Sequence, residues 1–334
     1  MQVFPGVHRF ESGLPGRPQT NSNVYLLEGP SGSMLIDSGW NGPGMFEGLE
    51  RQFLSDGLRI GDVRKIVITH IHADHYGLAA KFREICGSKV MLHRAERATI
   101  RDRFEDPTEP FNRQMGILLS ENGVPNSELA KIQAVGASMR RAFTTAPVDV
   151  EIEDGDILSC GEFNLEVIPT PGHTTGHMCL YDARKRLLFS ADHVLPVLIP
   201  HVTFNPQSGP SPMEDFRNAL TRLRGLDVQL VLPGHGEPFE DLKKRVDELL
   251  QYRSELERGI FQALDSKGKT AYELATMLAW TWSKADCART YNDISSNDKR
   301  HAVGETLAHL AVLVHEGKAF RTQQNGLVKY SRAI

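Results

Sequence analysis

The chain lacks the features that mark membrane-spanning and secreted proteins. No run approaches the ~20 apolar residues of a membrane span, and the most apolar stretch, residues 194–202, is interrupted by Pro196 and Pro200. Residues 1–10 lack the basic cluster and apolar core of a secretory signal. The four cysteines are scattered, without the C-x-x-C spacing of a structural zinc site or a redox disulfide. We therefore expect a cytoplasmic protein with reduced thiols and no membrane partner.

The chain also lacks an excess of charge of either sign. Its 334 residues include 38 Lys and Arg and 42 Asp and Glu, for a net charge of −4. This balance disfavours a polyanion or an anionic membrane as the main partner. Apolar residues make up 40% of the chain, enough for a substantial core. At ~150 residues per domain, the length corresponds to about two domains.

Strand and helix patterns alternate through the first 240 residues, which predicts an α/β fold with sheets covered by helices. Residues 94–143 differ, because helical spacing interrupted by prolines predicts a helical insertion there. Such an insertion either roofs a pocket or only packs on the core. The predicted strands cover 24–27, 34–36, 65–69, 148–152, 163–168, 178–181, 186–189 and 228–232, and the predicted helices 43–54, 77–85 and 213–223.

The last part of the chain forms a second predicted unit. Apolar residues between 239 and 264 recur on one face of a long helix that would link the main body to the tail. Two further helical patterns, at 270–278 and 303–315, precede a predicted hairpin at 319–331 with Asn325-Gly326 at its turn. We predict domains at 1–240 and 241–334, the second consisting of a linker helix and a small winged-helix-like domain.

The most informative segment is the run His70-Ile71-His72-Ala73-Asp74-His75, which contains four potential metal ligands. It follows a β-branched strand. Residues two apart in extended backbone point the same way, so His70 and His72 suit one ion. Asp74 and His75, at the turn into the next helix, suit another.

Three more potential ligands occur where a predicted strand ends in a turn: His173, Asp192 and His235. Glycines next to two of them let the backbone turn tightly. Loops at strand ends are where sites are usually assembled. Together with the four residues above, these groups provide seven ligands, which suffice for two ions.

The H-x-H-x-D-H motif and the three later ligands resemble the metallo-β-lactamase superfamily over about residues 20–240. The resemblance implies an αββα sandwich with two metal ions at one edge of the sheets. It also implies a hydrolase in which a metal-bound hydroxide attacks an electrophilic carbonyl or phosphorus, with Asp74 and Asp192 as catalytic residues. The implied ligands are His70, His72 and His173 for the first ion, Asp74, His75 and His235 for the second, and Asp192 as the bridge.

The ligand set also bears on the metal and on the neighbouring residues. Nitrogen and carboxylate ligands without thiolate favour zinc, with iron and manganese as alternatives. Asp37 resembles the family's aspartate that supports a ligand histidine, although a turn aspartate bonding its own backbone fits equally. Candidate pocket residues are His177, His193 and His201, and Tyr76 is either an oxyanion donor or a packing residue.

The aspartate at 192 distinguishes the functions found in this superfamily. Class B β-lactamases carry a cysteine ligand there, so antibiotic hydrolysis is disfavoured. The pattern is similar to hydroxyacylglutathione hydrolases (glyoxalase II), lactonases and the phosphodiesterase or ribonuclease branches. We expect an ester or thioester hydrolase for a small acyl substrate, with phosphodiesterase/ribonuclease or lactonase activity as alternatives. A non-catalytic scaffold is disfavoured, since no ligand is missing. The helical region 94–143, which contains Met115, Ile117, Leu118 and Leu119, is expected to supply part of an apolar pocket.

The tail adds a further argument about partners. A winged-helix end resembles a glyoxalase-II-like bacterial subgroup and a ribonuclease-like group, whereas glyoxalase II itself ends in a helical glutathione-binding domain. Residues 303–315, the predicted third helix, contain no Lys or Arg. Lys299 and Arg300 precede them and the hairpin offers Lys329 and Arg332, which is a small basic surface. Phosphate binding needs cations. We therefore expect a packing or homodimerisation module rather than a nucleic-acid reader.

Overall fold

The computed structural model describes residues 1–13 and 21–333, apart from the side chains at 139, 141 and 142. Its largest sheet has seven strands in chain order, antiparallel through the first four and parallel from the fourth to the seventh. The strands are β1 Gln2–Phe4, β2 Val7–Ser12, β3 Ser22–Leu27, β4 Ser33–Ile36, β5 Val63–Ile68, β6 Lys89–His93 and β7 Val150–Ile152.

A second sheet has five strands in the order β12-β11-β10-β9-β8. Its pairs are antiparallel except β11 with β12, which are joined by a helical crossover and run parallel. The strands are β8 Ile157–Cys160, β9 Phe163–Pro169, β10 Met178–Asp182, β11 Leu187–Ala191 and β12 Leu230–Pro233.

Helices cover the outer faces of both sheets and also build the insertion and the tail. They are α1 Met45–Ser55, α2 Ala73–Tyr76, α3 Ala79–Cys86, α4 Arg94–Ile100, α5 Pro110–Glu121, α6 Asn126–Ala142, α7 Pro212–Arg224, α8 Leu242–Ala263, α9 Ala271–Met277 and α10 Ser296–His315. Short turns of 3-10 helix lie at Ile60–Asp62 and Tyr291–Asp293, and a π-helical turn lies at Arg101–Glu105. Within the described residues, no helix is both long and apolar enough to cross a membrane.

Three apolar layers hold the main body together. Alternate residues of the two sheets, such as Val67 and Phe189, meet between them. The aromatic rings of α1 and α3, such as Phe46, pack on the outer face of the first sheet, and α7 covers the second sheet through residues such as Phe216. The predicted αββα sandwich is therefore confirmed, although β1, β2, β6 and β8 lie outside the predicted strands.

The tail contains the predicted helices and hairpin, together with a two-stranded sheet of β13 Ala279–Trp280 and β14 Arg289–Thr290. The hairpin is formed by β15 Ala319–Gln324 and β16 Leu327–Arg332, and both turn residues have positive φ, 51° at Asn325 and 80° at Gly326. This conformation suits a tight two-residue hairpin. The third helix, α10, begins at Ser296 rather than at residue 303, because the Ser295 hydroxyl accepts a hydrogen bond from the Asp298 N–H.

The apolar face of α5 in the helical insertion packs against the tail. Met115 and Leu119 are buried in a core shared with α9 and α10, and Leu118 packs against that core. Ile117 is 53% exposed. These four residues therefore do not line a pocket beside the predicted ligands. The insertion still supplies part of a cleft wall there, through Arg103 and Phe111.

Candidate metal centre

Four predicted ligands lie where β5 turns into α2. The last three residues of β5 are buried, and the chain leaves the strand through Thr69 and His70, which are fully buried. His72 immediately precedes α2, and Asp74 and His75 lie within it. The end of one central strand therefore delivers imidazole and carboxylate groups into a single short turn.

The other three predicted ligands come from the second sheet. His173 lies in the turn between β9 and β10, Asp192 directly follows β11, and His235 lies two residues after β12. Gly234 is required at this point, because a Cβ atom there would lie 2.4 Å from Asp192 Oδ1 and 2.9 Å from His75 Cε1. The structure thus brings all seven side chains to one end of the sandwich.

The first cluster has one ligand atom each from His70, His72, His173 and Asp192, all within 4.8 Å of one another. His72 Nδ1 lies 3.1 Å from His70 Nε2 and 2.9 Å from His173 Nε2. Asp192 Oδ2 lies 3.6 Å from His173 Nε2. Two ligands of a tetrahedral zinc ion are about 3.3 Å apart, given zinc–ligand bonds of about 2.0 Å. This spacing therefore suits a metal ion.

The second cluster contains Asp74, His75 and His235. Asp74 Oδ2 lies 3.2 Å from His235 Nε2 and 3.4 Å from His75 Nε2. Asp192 faces this cluster with its other oxygen, since Oδ1 lies 3.5 Å from His75 Nε2 and 3.4 Å from His235 Nε2. Asp192 therefore presents one carboxylate oxygen to each cluster.

Two buried polar atoms between these groups make no hydrogen bond of ordinary geometry with the described residues, namely His75 Nε2 and Asp192 Oδ1. Buried polar atoms in proteins almost always have a hydrogen-bond partner. These two atoms face each other among imidazole and carboxylate groups, an arrangement that suits a cation bound between them. The donor set, imidazole nitrogen and carboxylate oxygen, suits zinc, iron or manganese.

The first cluster favours neutral imidazoles. Burial, reinforced by the neighbouring histidines, holds the pKa of His70 and of His72 well below the ordinary value. Burial lowers the pKa of His173 to about 4, although the Asp192 carboxylate opposes this shift. A neutral imidazole keeps the lone pair that a metal ion requires, so these three rings are ready to bind a metal at neutral pH.

The second cluster has the opposite electrostatic character. Burial alone would lower the pKa of His75 and His235, but the Asp192 and Asp74 carboxylates raise both, that of His235 to about 10. The two histidines in turn hold the pKa of each carboxyl well below its ordinary value, against the effect of burial. Without a metal ion, protonated histidines thus balance the negative charge of the two carboxylates. A bound cation would replace the protons on the histidines.

Asp37 supports the second cluster from behind. Its backbone is left-handed, with φ of 61°, and its Oδ2 lies 2.8 Å from His75 Nδ1. The same carboxylate accepts hydrogen bonds from the Thr69 N–H at 2.8 Å and hydroxyl at 2.9 Å. By accepting the His75 Nδ1 proton it directs Nε2 of that ring towards the cluster. The carboxylate thus reaches across to the end of β5 rather than bonding only its own turn.

His177 and His193 lie behind the ligands, so the prediction that they line the pocket is wrong. His177 is 1% exposed, and its Nε2 accepts a hydrogen bond from the Asp192 N–H while Nδ1 lies 2.7 Å from the Thr170 hydroxyl. Burial holds the pKa of His177 well below its ordinary value. The His193 ring packs 4.4 Å from that of Phe216. His177 therefore positions the backbone of Asp192, and His193 belongs to the core.

Tyr76 is a packing residue and not an oxyanion donor. Its side chain is fully buried. Its hydroxyl donates to the Ala146 carbonyl at 2.7 Å and accepts from the Ala146 N–H at 2.9 Å. The hydroxyl is therefore fully used in tying the end of the insertion to α2.

His201, in contrast, lies beside the ligands. Its backbone carbonyl accepts a hydrogen bond from His173 Nδ1 at 2.7 Å, which directs Nε2 of that ring to the first cluster. The His201 ring stacks on His301 of α10, with ring centres 4.0 Å apart. A residue of the tail thus touches the segment that orients a predicted ligand.

The tail holds this irregular segment, residues 195–204, by its backbone. Arg253 of α8 donates to the Pro200 carbonyl, and Glu305 of α10 accepts from the Val202 N–H at 3.3 Å. Arg253 and Glu305 form an ion pair at 3.2 Å with both side chains fully buried. Arg245 donates to two further carbonyls of the segment. The segment below the metal centre is therefore fixed by the tail.

An open cleft of about 750 Å³ leads to the first cluster. Predicted site residues His72, His173 and His201 line one part of it. The wall also contains charged and aromatic groups for which the sequence carries no motif, apart from Arg300, a basic residue of the tail. They are Arg103 and Phe111 of the insertion, Arg300 and His301 of α10, and the carboxylates of Glu96 and Asp215.

Residues 17–235 match the family model described as the metallo-beta-lactamase superfamily, and the chain belongs to this superfamily. It is 26% identical over 301 residues to the probable metallo-hydrolase YqjP of Bacillus subtilis, a match that covers 88% of each chain. It is 28% identical over 237 residues to the human acyl-coenzyme A thioesterase MBLAC2, covering 65% of this chain and 74% of that protein.

Among solved structures, the chain is similar to the metallo-beta-lactamase family protein TTHA1429 from Thermus thermophilus. The TM-score is 0.83 at 28% identity, and the alignment covers 99% of this chain and 100% of the other. The predicted superfamily is thus confirmed, and with it a metal-binding hydrolase of mixed α/β fold. The similarity extends over the tail as well as the sandwich.

Proposed function

We propose that the chain is a binuclear metal-dependent hydrolase that cleaves thioesters of small acyl groups. The observation that carries the proposal is the carboxylate of Asp192, which turns Oδ2 to the first cluster and Oδ1 to the second. The thioester preference is supported by the similarity to an acyl-coenzyme A thioesterase.

His70, His72 and His173 would hold one ion, and Asp74, His75 and His235 would hold another. Asp192 would offer one carboxylate oxygen to each. Zinc is the proposed metal, with iron and manganese as alternatives. A divalent ion lowers the pKa of a bound water from 15.7 to about 7, and a second ion stabilises developing negative charge.

The chain's own groups position the reacting parts. Asp37 and the His201 carbonyl fix the rings of His75 and His173 through their Nδ1 atoms. His177 fixes the backbone of Asp192. Because the cleft borders His72 and His173, a thioester carbonyl placed there lies next to the first cluster. We assign the catalytic centre to a domain of residues 1–240. We assign residues 241–334 to a linker helix and a winged-helix-like domain that supports this centre.

The test compares substrates in parallel on zinc-loaded protein: an acyl thioester, a lactone and a phosphodiester. The Asp192→Ala variant should lose thioester turnover and hold fewer ions per chain, as measured by elemental analysis. Asp227→Ala is the matched control, since that carboxylate is exposed and pairs only with Arg186 among the described residues. Turnover of the phosphodiester alone, or full activity in Asp192→Ala, would contradict the proposal.

A further inference from the structure

The cleft beside the metal centre contains two guanidinium groups from opposite ends of the chain. Arg103 lies in the π-helical turn after α4, and Arg300 lies near the start of α10. Both side chains line the same cleft as the predicted ligands His72 and His173. A substrate that reaches the first cluster therefore passes two fixed positive charges.

Neither guanidinium is in ion-pair contact with a carboxylate, although the Glu96 carboxylate attracts Arg103 from a distance and opposes the lowering of its pKa by burial. Among the described residues, Arg103 and Arg300 form no ion pair, whereas Arg94, Arg97 and Arg140 of the same insertion each form one. Arg103 is instead held by an aromatic ring, since its guanidinium carbon lies 4.6 Å from the ring centre of Phe111.

Arg300 likewise has only weak neighbours. Its Nη2 lies 3.4 Å from Asn297 Oδ1 and 3.4 Å from His301 Nε2. Burial lowers the pKa of Arg300 to about 10, and the positive charge of Arg103 adds to this shift. Both side chains are half-buried, and a partly desolvated cation without a counter-ion is unfavourable, so the pair is suited to an anionic ligand.

The two carboxylates of the cleft wall do not fill this role. Glu96 is fully buried, and its oxygens accept hydrogen bonds from the Ile71 N–H at 2.9 Å and the Gly176 N–H at 2.6 Å. Asp215 lines the same cleft but forms no ion pair with either described guanidinium. The guanidinium N–H groups therefore remain available for oxygen atoms of a ligand.

We propose that Arg103 and Arg300 together bind an anionic group of the substrate, a carboxylate or a phosphate, while the scissile bond lies at the first cluster. Guanidinium groups recognise both anions through paired N–H···O bonds. This inference rests on the proposed function and narrows its substrates to thioesters that carry negative charge. The charge belongs either to the acyl chain or to the leaving thiol.

The kinetic test uses two matched pairs of thioesters on zinc-loaded protein. Succinyl against butyryl N-acetylcysteamine places the charge in the acyl chain, and butyryl-coenzyme A against butyryl-pantetheine places it in the thiol. In one pair, kcat/KM of the charged member should exceed that of the neutral member by at least about tenfold. This ratio should fall towards one in Arg103→Gln and Arg300→Gln. The exposed Arg101→Gln is the control that should keep it.

A binding test on metal-free protein does not depend on turnover. Succinate and inorganic phosphate are titrated by calorimetry, with succinamide as the neutral control. Binding of at least one anion should weaken at least about tenfold in either cleft variant, and stay unchanged in Arg101→Gln. Circular dichroism checks that each variant is folded.

The two tests separate failure of the inference from failure of the proposed function. Thioester hydrolysis with no charge preference, and anion binding that is equal in all variants, would overturn the inference and leave the thioesterase proposal standing. Arginine-dependent anion binding without any thioester hydrolysis would support the anion site and reject the thioesterase.

Discussion

The metal centre and the cleft wall are built in opposite ways. All seven predicted ligands come from turns at strand ends, and four of them fall within residues 70–75. Much of the charged cleft wall instead comes from the insertion and from α10, which pack together through a shared apolar core. The candidate ligands thus follow from short motifs at strand ends, whereas the cleft wall depends on packing between parts of the chain that are far apart in sequence.

The largest expected effect comes from removing one of the ligands of the candidate metal centre. Asp74→Ala removes the carboxylate that lies 3.2 Å from His235 Nε2. Turnover should fall by more than ~100-fold, since losing even an outer partner of a ligand costs ~10–100-fold. Elemental analysis should show about one ion fewer per chain. Because the cleft wall is untouched, succinate binding should persist, and its loss would contradict the separation of the two parts.

The next effect concerns the support behind the ligands. Asp37→Ala removes the acceptor for His75 Nδ1, so we expect metal affinity to fall by ~10–100-fold. Competition with a chelator measures this affinity. Asp37→Asn keeps one acceptor oxygen and should lose less. Equal affinity in wild type and in Asp37→Ala would remove Asp37 from the support of the site.

A third variant tests whether the contacts made by the tail affect turnover. Arg253→Met leaves Glu305 buried without its partner, which should lower the free energy of unfolding by ~3–5 kcal/mol. It also releases the Pro200 carbonyl below His201, and small misplacements near a site are costly, so kcat should fall by about tenfold. Chemical denaturation and steady-state kinetics measure the two effects.

The control for this variant is Arg224→Met, which breaks an exposed ion pair with Asp247. Exposed pairs contribute ~0–1 kcal/mol, so both stability and kcat should stay nearly unchanged. Unchanged kcat in folded Arg253→Met would show that the tail's hold on residues 195–204 does not matter for turnover.

The smallest expected effect is the part of the pH dependence of stability that comes from one buried histidine of the tail, His309. Burial lowers the pKa of His309 below 6.5, although Glu257 opposes the shift. The unfolded chain, with a His pKa near ~6.5, therefore takes up a proton that the folded chain excludes. The contribution of neutral, buried His309 to the free energy of unfolding is complete above pH ~6.5. It is lost as the pH falls below that value, by up to ~1.4 kcal/mol per pH unit.

His309→Leu should flatten the fall in Tm between pH 6.5 and 5 relative to wild type. His315→Gln is the control, since the His315 side chain is 72% exposed. An identical pH dependence of Tm in wild type and His309→Leu would contradict the assignment to this buried imidazole.

The same contrast explains which features the sequence could predict. The run at residues 70–75 follows from the two-residue period of a strand end, and several strand bounds agree closely, as in the prediction of 163–168 for Phe163–Pro169. Both signals are local. The prediction of the superfamily rests on them and on the strand-end ligands.

The errors concern features that only packing decides. The start of α10 was predicted at residue 303, because its first turns are polar and lack the apolar period. With a helix that starts at residue 303, Arg300 lies before the helix. In the structure it lies within α10 and lines the cleft. Likewise Met115 and Leu119 have the composition of a pocket wall, and their burial against the tail depends on elements more than a hundred residues away.

The buried pair of Arg253 and Glu305 has a consequence for engineering and for evolutionary change. Grafting the tail of a relative onto this sandwich would remove the donors and acceptors that hold residues 195–204, unless that segment were transplanted with it. The unit that must be inherited together is therefore the tail plus ten residues from the middle of the chain. Dividing the chain at residue 240 would separate residues 195–204 from the tail side chains that hold them in place.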